Sequence, residues 1–252
     1  MAALLFATFL NASPAEPLVV HVVVLLADNL HQGIVPTTPA LGNGQDPKTN
    51  LYWGALYGLD THLPRNGWAR IRIASDPQRK HIARAAFQRR IAGRPVVILG
   101  EAWDGRHGKA FLERYLLLLS GDASTESIAL PDGGTVQAGS AADLVVYIGH
   151  NVLMDFDAPS IEHLKRGGGP PTVILACQSA AYFQPLLTRL KTRAPVSTTG
   201  NMAPEAYTLV GVVEAMARKE EPSRWSMAAA RAYAKYQKIP ISAARRLFVA
   251  GP

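Results

Sequence analysis

The feature that most constrains the fold is an apolar run near the start of the chain, Pro17-Leu-Val-Val-His-Val-Val-Val-Leu-Leu-Ala27. The run is rich in β-branched residues and is apolar on both alternating faces. A strand with two apolar faces has to be covered on both sides, as central parallel strands are when helices lie over each face of their sheet. The run therefore predicts a central strand of an α/β sheet.

Further apolar runs alternate with amphipathic segments along the rest of the chain. We predict strands at 71–74, 95–100, 142–149, 172–176 and 195–199, helices at 50–58, 76–90, 107–119, 159–165, 178–190, 204–216 and through most of 223–250, and a hairpin or irregular excursion at 122–139. Strands that alternate with helices indicate an α/β fold with a three-layer, doubly wound, mostly parallel sheet. With 252 residues, 48% of them hydrophobic, the chain can form one such domain, which we place at residues 17–252.

We expect the first 16 residues to lie outside this domain. Residues 1–10 are apolar, and Ser13 and Ala15 are small residues of the kind that a signal peptidase prefers, although Lys and Arg are missing before the apolar run. The segment is either an export signal, which would make the protein exported or periplasmic, or a disordered start, which would leave it in the cytoplasm. Elsewhere no run reaches the roughly 18 consecutive apolar residues of a membrane span.

Charge and cysteine content restrict the function classes. The net charge is +7, but the basic residues are scattered and no nucleic-acid motif accompanies them, so we expect no nucleic-acid partner. The single cysteine, Cys177, excludes an intramolecular disulfide and any multi-cysteine zinc site. Cys177 is therefore inert packing, an intermolecular or redox thiol, or a nucleophile.

Cys177 and His150 follow the ends of two predicted strands and lie 27 positions apart, the length of one strand, one connection and the next strand. In an open parallel sheet, catalytic groups collect beyond the carboxyl ends of the strands. Neighbouring strands would bring these two side chains close together, and an imidazole beside a thiol can take its proton and return it to a leaving group. The pair predicts a catalytic dyad, with the backbone at the start of the next helix as an oxyanion-stabilising group.

The segments that carry the pair resemble a known family. Leu144-Val-Val-Tyr-Ile-Gly-His150-Asn151 and Val173-Ile-Leu-Ala-Cys177-Gln-Ser179 are similar to the His and Cys strands of the caspase-like cysteine peptidases, which include caspases, gingipains and bacterial CHAT domains. The stretch 196–206 is similar to the strand and helix that follow the nucleophile in CHAT and gingipain-like domains. The resemblance covers about residues 18–217. It implies a sheet of the caspase-like type, His150 as general base, Cys177 as nucleophile and an oxyanion hole from the backbone near both.

The match departs from the family at particular places. Asn151 stands where the family usually has Gly, and the distance from His150 to Cys177 is well below the roughly 50 residues of caspases. In relatives that cleave after basic residues, an acidic residue beyond the first strand lines the specificity pocket, and Asp28 occupies that place. We take Asp28 and Asn151 as candidate substrate-binding residues, with turn capping as the alternative for Asp28. Asp155 and Asp157 either orient the imidazole or cap a helix near Pro159, and capping is the preferred interpretation.

Other candidate sites have weaker patterns. The loop 33–46 is long and rich in Gly and Pro, but its Gly42-Asn-Gly44 lacks the third glycine of a dinucleotide motif. Asp28 with His31, and Glu101 with Asp104, have no diagnostic metal spacing, so we expect no metal or other cofactor.

The prediction is accordingly a cysteine endopeptidase, a hydrolase that takes a peptide or protein substrate. The alternatives are a catalytically silent binding or scaffold domain of the same fold, and a hydrolase or nucleotide-binding α/β protein with its site in the 28–46 loop.

Overall fold

A computed structural model describes residues 15–74 and 80–251. Almost all of the expected export signal, and the start of the helix expected at 76–90, lie outside these ranges. Within them the strands are β1 (Leu18–Leu25), β2 (Ala69–Ile71), β3 (His81–Ile91), β4 (Arg94–Trp103), β5 (Glu126–Ala129), β6 (Thr135–Ala138), β7 (Leu144–Ile148), β8 (Thr172–Leu175), β9 (Ser197–Thr198) and β10 (Phe248–Val249). The helices are α1 (Leu59–Arg65), α2 (Gly108–Ser120), α3 (Ser179–Leu190), α4 (Ala206–Ala217), α5 (Trp225–Gln237) and α6 (Ile241–Leu247).

A six-stranded sheet in the order β2-β3-β4-β1-β7-β8 forms the centre of the fold. β4, β1, β7 and β8 are parallel to one another, whereas β3 is antiparallel to both of its neighbours. All eight residues of β1 are buried between β4 and β7. The prediction of a mostly parallel sheet with the first apolar run at its centre is confirmed.

Helices cover both faces of the sheet. Val22 and Val24 of β1 pack in a cluster with residues of α1, α4 and α5, while Val23 and Leu25 pack with α2 and α3 on the other face. The β5–β6 hairpin, predicted as an excursion at 122–139, extends the second layer over Val19. Within the described ranges, none of the helices combines the length and apolarity needed to cross a membrane.

The helix predicted at 76–90 is wrong where the structure describes it, because residues 81–91 form β3. Ala92 and Gly93 both have positive φ angles, of 48° and 80°, and they join β3 to β4 as a two-residue hairpin turn. Such turns match the twist of paired strands. Pairing along the whole of β4 and burial of Ala85, Ala86 and Phe87 outweigh the helical spacing of the basic residues.

Two further helices were predicted wrongly. Residues 50–58 form turns before α1, because the buried Asn50 side chain bonds both backbone atoms of Ala27 and fixes this segment against the end of β1. Residues 159–165 contain only a turn, in which Ile161 and Leu164 are buried. A segment this short, followed by Gly and Pro, has too few residues to offset the cost of helix nucleation.

His21, in the middle of β1, belongs to a buried ionic cluster. Its Nε2 lies 3.2 Å from Oε1 of Glu101 on β4, and Nη2 of Arg114 on α2 lies 3.0 Å from the same oxygen. The Gly139 amide donates a hydrogen bond of 3.0 Å to Nδ1 of His21. Burial alone would raise the pKa of Glu101, but His21 and Arg114 together hold it well below its ordinary value.

This cluster predicts a pH-dependent contribution to stability. Because the folded-state pKa of Glu101 is lowered, its ion pairs stabilise the protein above about pH 4.3, the ordinary pKa of Glu, and the stabilisation is lost as the pH falls towards the folded-state value. Glu101→Gln should lower the free energy of unfolding near pH 7 by about 3–5 kcal/mol, because Arg114 is left without a buried partner. Urea unfolding should show that the difference in the free energy of unfolding between wild type and Glu101→Gln becomes smaller below pH 4. The matched control is Glu113→Gln, which changes an exposed glutamate of the same helix as Arg114. A deficit that does not change with pH would contradict the assignment.

Candidate functional site

His150 and Cys177 follow neighbouring parallel strands. Ile148, at the end of β7, pairs with Leu175 at the end of β8, and each candidate residue lies two positions beyond its strand. Adjacent strands run about 4.8 Å apart, so the two loops leave the sheet side by side. Gly149 precedes His150 with φ +141°, and a Cβ there would come within 2.6 Å of the Leu25 carbonyl oxygen. Glycine is therefore required where the His150 loop turns away from β1.

The His150 imidazole is bonded to a carboxylate. The residue is 5% exposed, and its Nε2 lies 2.8 Å from Oδ2 of Asp155. Asp155 also accepts hydrogen bonds of 3.3 and 3.4 Å from the Gly33 amide, which joins the His150 loop to the loop after β1. The preferred sequence interpretation, that Asp155 caps a helix near Pro159, is wrong because there is no helix at that position and the carboxylate contacts the imidazole.

The Cys177 thiol is half-buried and bonded to the backbone of Met202. Its Sγ accepts from the Met202 amide at 3.4 Å and lies 3.6 Å from the Met202 carbonyl oxygen. Among the hydrogen bonds of the described residues, none joins the thiol directly to His150. The structure thus brings the two loops together while each side chain keeps a separate partner.

Asn151 connects the two loops. Its Nδ2 donates to the Cys177 carbonyl at 2.7 Å, and its Oδ1 accepts from the Leu153 amide at 3.1 Å. The side chain is fully buried. Asn151, a candidate substrate-binding residue from the sequence, therefore uses both of its side-chain polar atoms within the protein.

The backbone N–H groups of the two loops are candidate donors to a substrate. Within the described residues, the amides of Asn151 and Cys177 donate no hydrogen bond. The next amide, of Gln178, donates to the Gly200 carbonyl at 2.9 Å, and Gln178 itself has a left-handed conformation, φ 51° and ψ 30°, before α3 begins. An oxyanion site requires N–H groups that point towards the position of the reacting carbonyl oxygen.

Two tyrosines from other elements are electrostatically coupled to the thiol. Tyr52, from the loop before α1, and Tyr233, from α5, lie close enough for a charge on Cys177 to raise the pKa of both hydroxyls, although burial is the larger cause. The Tyr233 hydroxyl accepts from the Ala203 amide at 3.1 Å.

Asp28 stabilises the loop after β1. It is 1% exposed, and its carboxylate accepts from the Leu30 amide at 2.9 Å, from Gln45 Nε2 at 2.7 Å and from His31 Nδ1 at 2.9 Å. Burial opposes ionisation, but these hydrogen bonds lower the pKa of Asp28. A carboxylate with this many internal partners fits the turn-capping alternative.

Gln45 also connects Asp28 to Asp104, at the end of β4. Its Nε2 donates to Asp104 Oδ1 at 2.9 Å, and Arg106 forms a salt bridge of 2.6 Å with Asp104. Burial opposes ionisation, but Arg106 and Gln45 lower the pKa of Asp104 to about 2. Gly44 fits tightly beside Asp28, where a Cβ would lie 2.5 Å from Oδ2. In the described part of the chain, no three His, Cys, Asp or Glu side chains form a metal-binding group.

A cavity of about 400 Å³ lies between the loops that follow β1, β4 and β7. After β1 the chain forms β2, β3 and β4 on one side of that strand and then crosses to β7 on the other side. This edge is therefore the switch point where open α/β sheets bind ligands. Asp155, Arg106 and Phe156 line the cavity together with His31. Sequence reasoning missed Arg106 and Phe156, since neither belongs to a motif. Asp155 was noticed only for its position five residues after His150.

Comparisons with family models, curated proteins and solved structures find no match for this chain. A function therefore has to be inferred from the geometry of the strand ends and from the residues that surround it.

The hydrogen bonds of Asn151 predict that replacing Asn151 costs more stability than replacing Asn201, an asparagine that contacts the neighbouring Gln178. Asn151→Ala removes a buried donor and leaves the Cys177 carbonyl without this partner, so the free energy of unfolding should fall by about 1–3 kcal/mol. Asn201→Ala removes only an exposed contact with Gln178 and should change it by less than about 0.5 kcal/mol. Chemical denaturation followed by tryptophan fluorescence measures both. Equal losses would contradict a specific bridge between the loops.

Proposed function

We propose that this chain is a cysteine peptidase of the caspase-like type, with Cys177 as nucleophile and His150 as general base. The observation that carries the proposal is the pairing of Ile148 with Leu175, which starts the two loops side by side at the carboxyl edge of the sheet. The bond between His150 and Asp155 adds support, because a base works best when a third group orients it.

The reaction runs through an acyl-enzyme. His150 takes the thiol proton, and the Cys177 sulfur attacks the scissile carbonyl carbon to form a tetrahedral intermediate. The C–N bond then breaks as protonated His150 gives the proton to the leaving amine. Water deprotonated by His150 attacks the thioester, and the carboxylic acid product leaves with the thiol regenerated.

Backbone amides supply the electrostatic part of this mechanism. Negative charge develops on the carbonyl oxygen, and the N–H groups of Asn151 and Cys177 lie on the two loops that the Asn151 side chain holds together. Fixed donors stabilise such a charge without reorganisation during the reaction. Loss of one such donor commonly costs about 10²–10³ in kcat.

The thiol has to exchange partners before reaction. In the free protein Sγ is bonded to Met202, and in the peptidase this contact gives way to the imidazole as substrate enters. Catalytic hydrogen bonds are often long or absent before substrate binds and tighten in the complex. The half-buried position of Cys177 is compatible with such a change.

The direct test is cleavage of a peptide library by the full-length protein, followed by mass spectrometry. We expect cleavage by the wild type, at least a roughly 10³-fold loss in Cys177→Ala and in His150→Ala, and wild-type rates in the exposed-histidine control His163→Ala. A folded wild-type protein that cleaves none of the library would contradict the proposal and favour the silent binding domain. Cleavage that persists in Cys177→Ala would assign the chemistry to another site.

Asp155 should act as a positioning residue. Asp155→Asn keeps the shape of the side chain but removes the charge that faces Nε2, so we expect kcat to fall about 10²-fold with KM nearly unchanged. Asp157→Asn, two residues further along, is the matched control. Urea unfolding of both variants separates a positioning role from a structural one, because the free energy of unfolding should change by less than about 1 kcal/mol. An unchanged kcat in Asp155→Asn would remove Asp155 from the mechanism.

A further inference from the structure

A second cavity, of about 440 Å³, is lined by α1, β3, α4 and α5 and contains none of the residues assigned to the dyad. Four cationic side chains, Arg89, Arg218, Arg231 and Lys235, line it against the two carboxylates of Glu214 and Glu220. Its volume falls within the range of about 300–1,000 Å³ that is typical of small-molecule sites. The cavity thus combines a suitable size with an excess of positive charge.

The carboxylates neutralise only part of this charge. Glu214 is shared between two guanidinium groups, with 3.4 Å from Oε1 to Arg89 Nη1 and 3.4 Å from Oε2 to Arg218 Nη2. Arg231 and Lys235 lie one turn apart on α5, both are exposed, and neither forms an ion pair with a carboxylate of the described residues. Residues four positions apart on a helix project from the same face, so both cations are available to one ligand.

His62 adds a buried donor to the wall of the cavity. It is 4% exposed, and burial lowers its pKa, so the ring is neutral with one N–H and one acceptor nitrogen. Asn66 Nδ2 donates to the His62 carbonyl at 2.8 Å, which fixes the orientation of the amide. The same Nδ2 lies 3.4 Å from both nitrogens of the His62 ring. An amide N–H satisfies only the acceptor nitrogen. The ring N–H is therefore left without a hydrogen-bond acceptor in the described part of the chain.

Aromatic packing holds this wall in place. Tyr207 and Tyr236 stack with ring centroids 4.3 Å apart and an interplanar angle of 3°, and His62 packs edge-on against both. Lys235 Nζ lies 5.7 Å from the centroid of Tyr236. A rigid wall lowers the entropic cost of fixing donors around a ligand.

We propose that this cavity binds the phosphate group of a small phosphorylated molecule. Guanidinium groups match the geometry of phosphate oxygens, and a neutral imidazole N–H without a protein acceptor supplies a further donor. Arg231 and Lys235 supply the unpaired charge, and His62 contacts the phosphate from the buried side. The site is independent of the dyad and would serve to bind a ligand whether or not the chain is a peptidase.

Calorimetric titration of the full-length protein with phenyl phosphate and with inorganic phosphate, at constant ionic strength, tests the proposal. We expect saturable binding with one site, weakened about tenfold or more in the double variant Arg231→Gln/Lys235→Gln. The control Lys165→Gln/Arg166→Gln removes the same charge from an exposed loop and should leave the affinity unchanged. His62→Phe keeps the aromatic packing and removes the donor, and should weaken binding by about five- to tenfold.

The outcomes separate this site from the proposed peptidase. Binding should be unchanged in Cys177→Ala, and its persistence in a protein without peptidase activity would still support the phosphate site. Absence of saturable binding of either phosphate would overturn the proposal, as would equal weakening by both double variants, which would indicate a response to overall charge. Binding of an oligonucleotide without binding of either phosphate compound would also overturn it, in favour of a nucleic-acid surface.

Discussion

The burial of β1 on both faces is the constraint on which the rest of the structure depends. A strand with apolar side chains on both sides is stable only when layers of structure cover each face, and here α4 and α5 cover one face while α2 and α3 cover the other. Helices thereby cover both faces of the sheet over β1. The carboxyl edge over β1 is not covered in this way, and the loops after β1, β4, β7 and β8 meet there, which allows polar side chains to collect.

Hydrogen bonds between those loops convert a sheet edge into a defined site. Asn151 joins the loop after β7 to the loop after β8, and Asp155 joins the loop after β7 to the loop after β1. Gln45 then joins the ends of β1 and β4 through Asp28 and Asp104. Asn151, Asp28 and Asp104 are buried, and a buried polar group without a partner costs about 1–3 kcal/mol, so their hydrogen bonds hold these loops in one arrangement. The contact between Asp155 and Gly33 is exposed and adds less.

The sequence predicted the parts of this arrangement that depend on strand pattern. The runs that became β1, β4, β7 and β8 are apolar enough to define their own positions, and the placement of His150 and Cys177 beyond two strand ends follows directly. β3 could not be read from its composition, because the decisive signals were a two-residue turn at Ala92 and Gly93 and pairing with a distant strand. The hydrogen-bond partners of Asp28 and Asp155 could not be predicted from the sequence either, because they depend on which loops meet in space.

The central claim is that the Cys177 thiol and the His150 imidazole act as one chemical unit. The most direct measurement is the second-order rate of alkylation of Cys177, the single cysteine of the chain, by iodoacetamide near neutral pH. The thiolate is the reactive form, so a neighbouring imidazole should accelerate the reaction, and the rate should fall about tenfold or more in His150→Ala while His163→Ala reacts like the wild type. Equal rates in the wild type and in His150→Ala would contradict the dyad.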